Sequence, residues 1–541
     1  MFVMMGVINR LGAARRAVWL YHAVFFRHGP GPVRMSERWK LKQSRDQWKQ
    51  KAIERGATAR AQRKEITRLR AERDRLKAVT TPVPDTENLP QRGERAPPDG
   101  QKAALVHLAL SLFVEARLGF RAIARALAVF AAHGGLPKAP CAQTVSHWVT
   151  RLSLVKMQTF SELMNASLMP PLAKGYVWMI DLSIGLGSGK ILSVLALPLQ
   201  HHVTHAKAPR LQDVRCVAVA VEDTWNGASI ADFLERVIAR IGAPSAILKD
   251  GGTDLNRAVC LLAERGHPCP AIADVSHVIA NLFKHTYGEH PLFSTFVSAC
   301  GRVSKHLKQT LLASLAPPKV STKARFMNVH GLVAWADQLL KHSPRGEAAA
   351  GSVLARLRAS LEELPACKPL IRRFLRDAKA MLACQKVLKH KGLNKATHQA
   401  CQKLIEVIPA SSPIRQGFTQ WAENQLAIAS ALELGTVGLP ISTDILESLF
   451  GIGKRLGVGQ TKDANWIALR LPCFCGTLSR DDSEHVLQIS VREQQALTSG
   501  IRSLLAQRRQ VLPHPGTLES LAKTSKSRSF QMLPTPVAAA A

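Results

Sequence analysis

The stretch AILKDGGTDL, Ala246 to Leu255, decides how the rest of the chain is read. A short apolar run ends in Lys249 and Asp250; two glycines follow, then Thr253 and Asp254 at a helix start. An apolar run bounded by turn residues reads as a buried strand. A carboxylate at the end of such a strand is costly unless it is paired or holds a cation. Gly251 and Gly252 leave space beside the backbone for a phosphate or a metal. Asp254 reads as part of the cap of the next helix. The competing reading is an ordinary strand-to-helix loop. The choice depends on which other residues the neighbouring strands bring to Asp250.

Working outward, the texture becomes β-rich from Tyr176. YVWMIDLSIGLG, KILSVLALPL and VRCVAVAVED are three strand-like runs, the first two joined by a hairpin connection at GSGK. SIADFLERVIARIG is an amphipathic helix, SAILKD a fourth strand, DLNRAVCLLAERG a helix and PAIAD a short fifth strand. A meander of three strands followed by helix, strand, helix and strand makes a mixed α/β sheet. Asp181 sits inside the first strand, flanked by Met179, Ile180 and Leu182, so it too is expected in a buried run. If the first and fourth strands are neighbours, Asp181 and Asp250 meet.

Beyond the fifth strand, ADVSHVIANLFKH sets Asp274 one helical turn before His277. Taken alone, His277 reads as an ordinary core histidine. Residues 291–440 are nearly all helical in pattern and rich in Lys and Arg. STDILESLFGIGKR then gives a helix with Leu446, Leu449 and Phe450 on its buried face and Glu447 beside it. Lys454 lies two turns on, near the Glu447 face, with Arg455 next to it; both could meet phosphate. Asp444 and Glu447 could instead be a capping-box-like pair, and Asp444 is the alternative third acid. Two or three acids at one sheet edge make a hard oxygen site suited to Mg²⁺ or Mn²⁺.

The chain has 541 residues, a formal net charge of +34 and 46% hydrophobic residues. That length gives several domains and ample core, and that charge makes a polyanion, DNA above all, the expected partner. The ten cysteines are scattered. CFC at Cys473 and Cys475 matches no structural zinc spacing, so reduced thiols of a cytoplasmic protein are expected. No run is long enough to span a bilayer, so no membrane partner is expected. GLGSGK, from Gly185, is too short for a phosphate-binding Walker loop, and Ile191 stands where a Ser or Thr is needed.

Residues 1–34 read as an N-terminal extension, apolar in patches and broken by arginines. Residues 35–79 form a basic helix with a weak coiled-coil seam at Ile66, Leu69 and Leu76, and 80–100 a proline-rich linker. Residues 101–155 are helical. Ile123, Leu127 and Phe130 share one helix face, and Val145, Trp148 and Leu152 share the face of the next. Gln143, Thr144, Ser146, His147 and Arg151 remain outside, as on the DNA-reading helix of a helix-turn-helix; helical hairpins without DNA contacts share the pattern. Residues 491–541 read as a basic, partly disordered tail.

The order strand-Asp, strand-end Asp, helix-Glu, with the D-x-x-H element, resembles the RNase H-like core of DDE-type transposases of bacterial insertion sequences. The resemblance covers about residues 175–290 and 440–460, with the helical block between them as an insertion. It implies that Asp181, Asp250 and Glu447 bind Mg²⁺ or Mn²⁺, with Asp274 and His277 supporting the active site. It also implies binding of an element's terminal inverted repeats, DNA cleavage and strand transfer to target DNA. A homodimer or higher oligomer on nucleoid DNA is implied as well. Two other readings use the same residues: an RNase H-like nuclease or resolvase without strand transfer, and a non-catalytic DNA-binding protein such as a decayed transposase.

Overall fold

The computed structural model describes residues 100–133, 139–165, 175–184, 189–199, 208–308, 310–319, 325–342, 346–455, 464–498 and 530–533, with isolated positions between Asp46 and Glu72. The chain divides into two compact units, residues 1–95 and 96–541. In the first, the described positions are helical and exposed, and Arg68 pairs with Glu65 one turn away at 2.9 Å. The seam residues Ile66, Leu69 and Leu76, the extension 1–34 and the linker up to 99 lie outside the described residues.

The second unit opens with three helices, α1 (Gly100–Val114), α2 (Phe120–Ala132) and α3 (Ala142–Asn165). Then come β1 (Tyr176–Ile184), β2 (Lys190–Pro198), β3 (Arg215–Glu222), α4 (Gly227–Ile241), β4 (Ala246–Lys249), α5 (Thr253–Glu264) and β5 (Ala271–Ala273). A helical block follows: α6 (Val275–Tyr287), α7 (Pro291–Leu307), α8 (Arg325–Lys341), α9 (Val353–Leu361), α10 (Lys368–Lys391), α11 (Lys395–Ile405) and α12 (Pro413–Ala431). The chain closes with α13 (Asp444–Arg455), α14 (Ala464–Ala468), a 3-10 turn at Leu471–Phe474, α15 (Arg480–Gln488), α16 (Val491–Thr498) and β6 (Phe530–Met532).

The strands form one mixed sheet in the order β5-β4-β1-β2-β3-β6. β1, β2 and β3 are an antiparallel meander. β4 joins β1 in parallel and β5 joins β4 in parallel, as expected where a helix separates consecutive strands. Side chains alternate between faces. Val177, Met179, Ala246 and Leu248 enter one core with α3, α6 and α13. Trp178, Ile180 and Ile247 enter the other with α4 and α5. α4 forms where expected: Asn226 accepts the Ser229 N–H at 2.9 Å to cap its start, and Gly242 at φ 83° ends it.

The terminal strands of the sheet are β5 and β6, and β5 is partly capped by a side chain from the helical block. The Gln425 side chain on α12 accepts the Ala273 N–H at 3.2 Å. On the far side β6 pairs with β3. The helical block closes where Leu393 and Leu439 exchange backbone hydrogen bonds of 2.9 and 2.8 Å. Gly392 and Gly438 have φ of 66° and 111° there, and a side chain on Gly438 would collide with the Lys391 carbonyl. From this crossing the chain runs to Ile441 and α13.

Four observations extend or depart from the sequence reading. α3, whose start carries the polar face, is 24 residues long, and its middle enters the core: Thr150, Ser153 and Lys156 are buried. Nine residues, 133–141, separate α2 from α3, against the three or four of a tight helix-turn-helix corner. Phe130 is 51% exposed although Ile123 and Leu127 are fully buried. The tail region contributes α16 and β6; three residues pairing through their backbone are too short for periodicity to reveal. No helix among the described residues is long and apolar enough to cross a membrane.

Candidate functional site

The parallel pairing of β1 with β4 runs Val177↔Ala246 to Ile180↔Lys249. One step further, Asp181 stands beside Asp250. Met179 and Leu248, two residues earlier on each strand, point into the same core, so the period of two puts both carboxylates on that face. α13 packs against β1 on that side and carries Glu447 in its first turn. Asp181 responds to all three neighbours. Its carboxyl is pushed up to about 7, first by burial and then by the Asp250 charge; Glu447 raises it further. The Leu182 N–H, donating at 2.6 Å, and His277 act in the opposite direction. Asp181, Asp250, Glu447 and His277 therefore occupy one electrostatic neighbourhood, although Glu447 lies far away in sequence.

The loop after β4 is braced. Asp250 accepts the Gly252 N–H at 2.9 Å. Lys249 turns to the opposite face, where it is buried and donates to Asn256. The Asn256 amide donates in turn to the Gly251 carbonyl at 3.2 Å. Asp254 lies in the first turn of α5 but is not its cap; Gly252 holds that position.

Asp274 has a different part. It is 1% exposed. One carboxylate oxygen caps α6 by accepting the His277 N–H at 2.9 Å. The other accepts the Thr443 N–H at 2.7 Å and the Thr443 hydroxyl at 3.1 Å. The Asp274 N–H donates to the Lys249 carbonyl, and the Val275 N–H to the Ile441 carbonyl, each at 3.0 Å. Asp274 thus ties the end of β4, the start of α6 and the residue before α13 into one knot. Both of its carboxylate oxygens are taken by protein donors. Thr443 carries no signal in the sequence, because its partner is 169 residues away. Replacing it with valine removes the hydroxyl donor and should lower stability by about 0.5–1.5 kcal/mol. Asp274→Asn, which sets an NH₂ or a lost charge against these donors, should cost about 1–3 kcal/mol. Denaturation midpoints of the two variants check both.

The alternative third acid is engaged elsewhere: the exposed Asp444 carboxylate pairs with Lys389 of α10 at 2.7 Å. Glu447 is exposed and has no ion-pair partner among the described residues. Asn281, one turn beyond His277 on α6, also reaches this loop, since a Cβ on Gly251 would lie 3.1 Å from its Nδ2. The expected DNA-facing residues lie apart on α3. Gln143 is exposed and its Nε2 lies 2.7 Å from His147 Nε2. Thr144, Ser146, His147 and Arg151 are half-buried, and Arg151 donates to Gln494 of α16 at 2.8 Å. Lys454 sits over Phe450 on α13, its Nζ 6.0 Å from the ring centroid.

The donors are of the type a hard divalent cation takes: all oxygen, with Asp181 and Asp250 beyond the β1–β4 pairing in the middle of the sheet and Glu447 on the helix against it. No three His, Cys, Asp or Glu among the described residues are gathered at metal-holding distance. The acids are near one another but do not form a closed ligand shell.

The raised Asp181 pKa makes a stability prediction. The folded state holds the proton up to about 7, while an unfolded aspartate releases it near 3.8. Below the lower value the group is neutral in both states and costs nothing. Between the two, the penalty for folding grows with pH; above about 7 it is constant, at about 4 kcal/mol. Asp181→Asn should therefore be more stable than wild type, by a margin that widens from pH 4 to pH 7 and then levels. Denaturation curves across that range check it, and a margin independent of pH would contradict it.

The chain matches no family model and no curated protein.

Proposed function

We propose that the protein is a DNA transposase of the DDE type, built on an RNase H-like core interrupted by the helical block. The observation that carries this reading is the register of β1 and β4, with Asp181 and Asp250 side by side and Glu447 brought to the same face by α13. The meander followed by two parallel strands supports the core assignment. The return of the chain at Ile441 supports the insertion.

In this reading Asp181, Asp250 and Glu447 would hold Mg²⁺ or Mn²⁺. When bound, the metal supplies Lewis-acid activation of a water or a 3′-hydroxyl and stabilises the leaving oxygen of a phosphodiester. The protein's own contribution is arrangement. The braced loop fixes Asp250, and the Asp274–Thr443 knot fixes the angle at which α13 offers Glu447. His277 and Asn281 line α6 beside the loop. Lys454, on the Glu447 face of α13, and the residues at the start of α3 would meet DNA phosphates. The net charge of +34 supports a polyanionic substrate.

A plasmid carrying the gene with its flanking DNA tests the reading. Incubated with Mg²⁺, the purified chain should nick at the borders of the element and join the 3′-ends to a second plasmid. Nicking without joining would favour the nuclease reading; binding without nicking would favour a non-catalytic DNA-binding protein.

A further inference from the structure

Three arginines outside the carboxylate site lie on segments that meet around one aromatic stack beside α13. Arg117, between α1 and α2, lies over the Phe474 ring with its Cζ 4.6 Å from the centroid. Arg470 lies over Phe120 at 4.7 Å and near Trp466 at 5.8 Å. Phe113 stacks on both Phe120 and Phe474 at 5.4 Å. The two guanidiniums therefore bracket one aromatic stack. Arg455 ends α13, which packs on the 3-10 turn carrying Phe474. Its Nε–H donates to the Gly451 carbonyl at 3.0 Å, and its remaining donors are free among the described residues.

No carboxylate forms an ion pair with any of the three among the described residues. Arg117 is held below the ordinary arginine range, first by burial and then by Arg455, with Glu115 acting against them. Burial lowers Arg470 in the same way, with a weaker opposing effect of Cys473. Arg117 and Arg455 are exposed and their charges repel, an arrangement that an anion between them would offset. Arg117 also holds a left-handed backbone at φ 57°, a conformation uncommon outside glycine that persists only where the surroundings impose it. A guanidinium over a ring face is held by that contact without using its N–H donors. A planar fork of this kind suits the paired oxygens of a phosphate.

We propose that Arg117, Arg455 and Arg470 form a phosphate-binding site that grips the backbone of duplex DNA next to the carboxylate site. The assignment of DNA rests on the proposed function. Arg455 is about 12 Å along α13 from Glu447 at 1.5 Å per residue, so one helix would couple the grip to the third acid.

The test uses the full chain and a duplex of arbitrary sequence, with affinity measured over a range of salt. Removing one arginine–phosphate pairing should lower the slope of log K against log salt by about 0.9. Arg117→Gln and Arg455→Gln should each do so, equally for element ends and for scrambled DNA, with unchanged unfolding midpoints. Arg470→Lys keeps the charge without the fork, so its slope should be preserved while affinity at fixed salt falls. A wild type that binds duplex DNA, with variants of unchanged slope, overturns the proposal alone. A wild type that binds no duplex overturns the DNA reading and the proposal with it. Inorganic phosphate at constant ionic strength separates the remaining source. If it raises the wild-type midpoint but not that of Arg117→Gln, while the DNA slopes agree, the site takes free phosphate and the proposal fails.

Discussion

Lys156→Met should lower the stability of the folded chain by about 3–5 kcal/mol, the usual cost of stranding one partner of a buried ion pair. Lys156 and Asp482 are 5% and 6% exposed and meet at 2.7 Å. The lysine also donates to the Thr477 carbonyl at 2.6 Å. The same Asp482 oxygen accepts the Ser479 N–H at 2.7 Å, closing the cap of α15. Removing the ammonium leaves a carboxylate in the core with only the capping N–H. Replacing both partners, Lys156→Met with Asp482→Leu, should recover much of the loss, since an apolar pair of similar volume needs no compensation. The pair clamps α3 to α15, so it also fixes the helix whose first turns carry Gln143 and His147. A denaturation midpoint for Lys156→Met close to wild type would mean that water reaches the pair and that α3 is held by apolar packing alone.

The second large effect is on chemistry. Asp181→Asn, Asp250→Asn and Glu447→Gln keep shape but remove the charge that would hold a metal. Each should lower DNA cleavage by about 10³-fold or more, because several kcal/mol of charge stabilisation is lost at 1.36 kcal/mol per decade. DNA binding should be retained. Folding should be retained in all three and improved in Asp181→Asn, since burial and the neighbouring Asp250 and Glu447 charges penalise the Asp181 carboxylate. Asp444→Asn is the control: it breaks an exposed pair with Lys389, worth at most about 1 kcal/mol, and should leave cleavage intact. A dead Asp444→Asn beside an active Glu447→Gln would move the third ligand by one turn.

The central sheet was legible because its strands are apolar runs with sharp ends. The pairing of Asp181 with Asp250 followed from placing the first and fourth strands side by side. Glu447 was legible as a type of residue but not as a neighbour, since its approach depends on a helical block that closes at the Gly392–Gly438 crossing. The D-x-x-H spacing marks Asp274 through its family resemblance. Its hydrogen bonds give it a plainer task, capping α6 and holding Thr443. Elsewhere tertiary packing overrides local pattern. Phe130 has the spacing of a core residue but lies beyond the reach of the core. α3 has a polar first half, yet Lys156 in its second half is buried because Asp482 waits for it. The stacking of Arg117 and Arg470 on Phe474 and Phe120 joins segments more than three hundred residues apart, and no window of sequence contains it.

The central claim is that three acids from β1, the end of β4 and α13 act as one metal-dependent centre on DNA. The most direct measurement is cleavage of a plasmid bearing the element's borders, with Mg²⁺ or Mn²⁺ titrated against wild type and the three amide variants in parallel. Border-specific cleavage should rise with metal in the wild type, vanish with a chelator and be lost in all three variants while they still bind the DNA. Cleavage that ignores the metal, or that all three variants perform as wild type does, would contradict it.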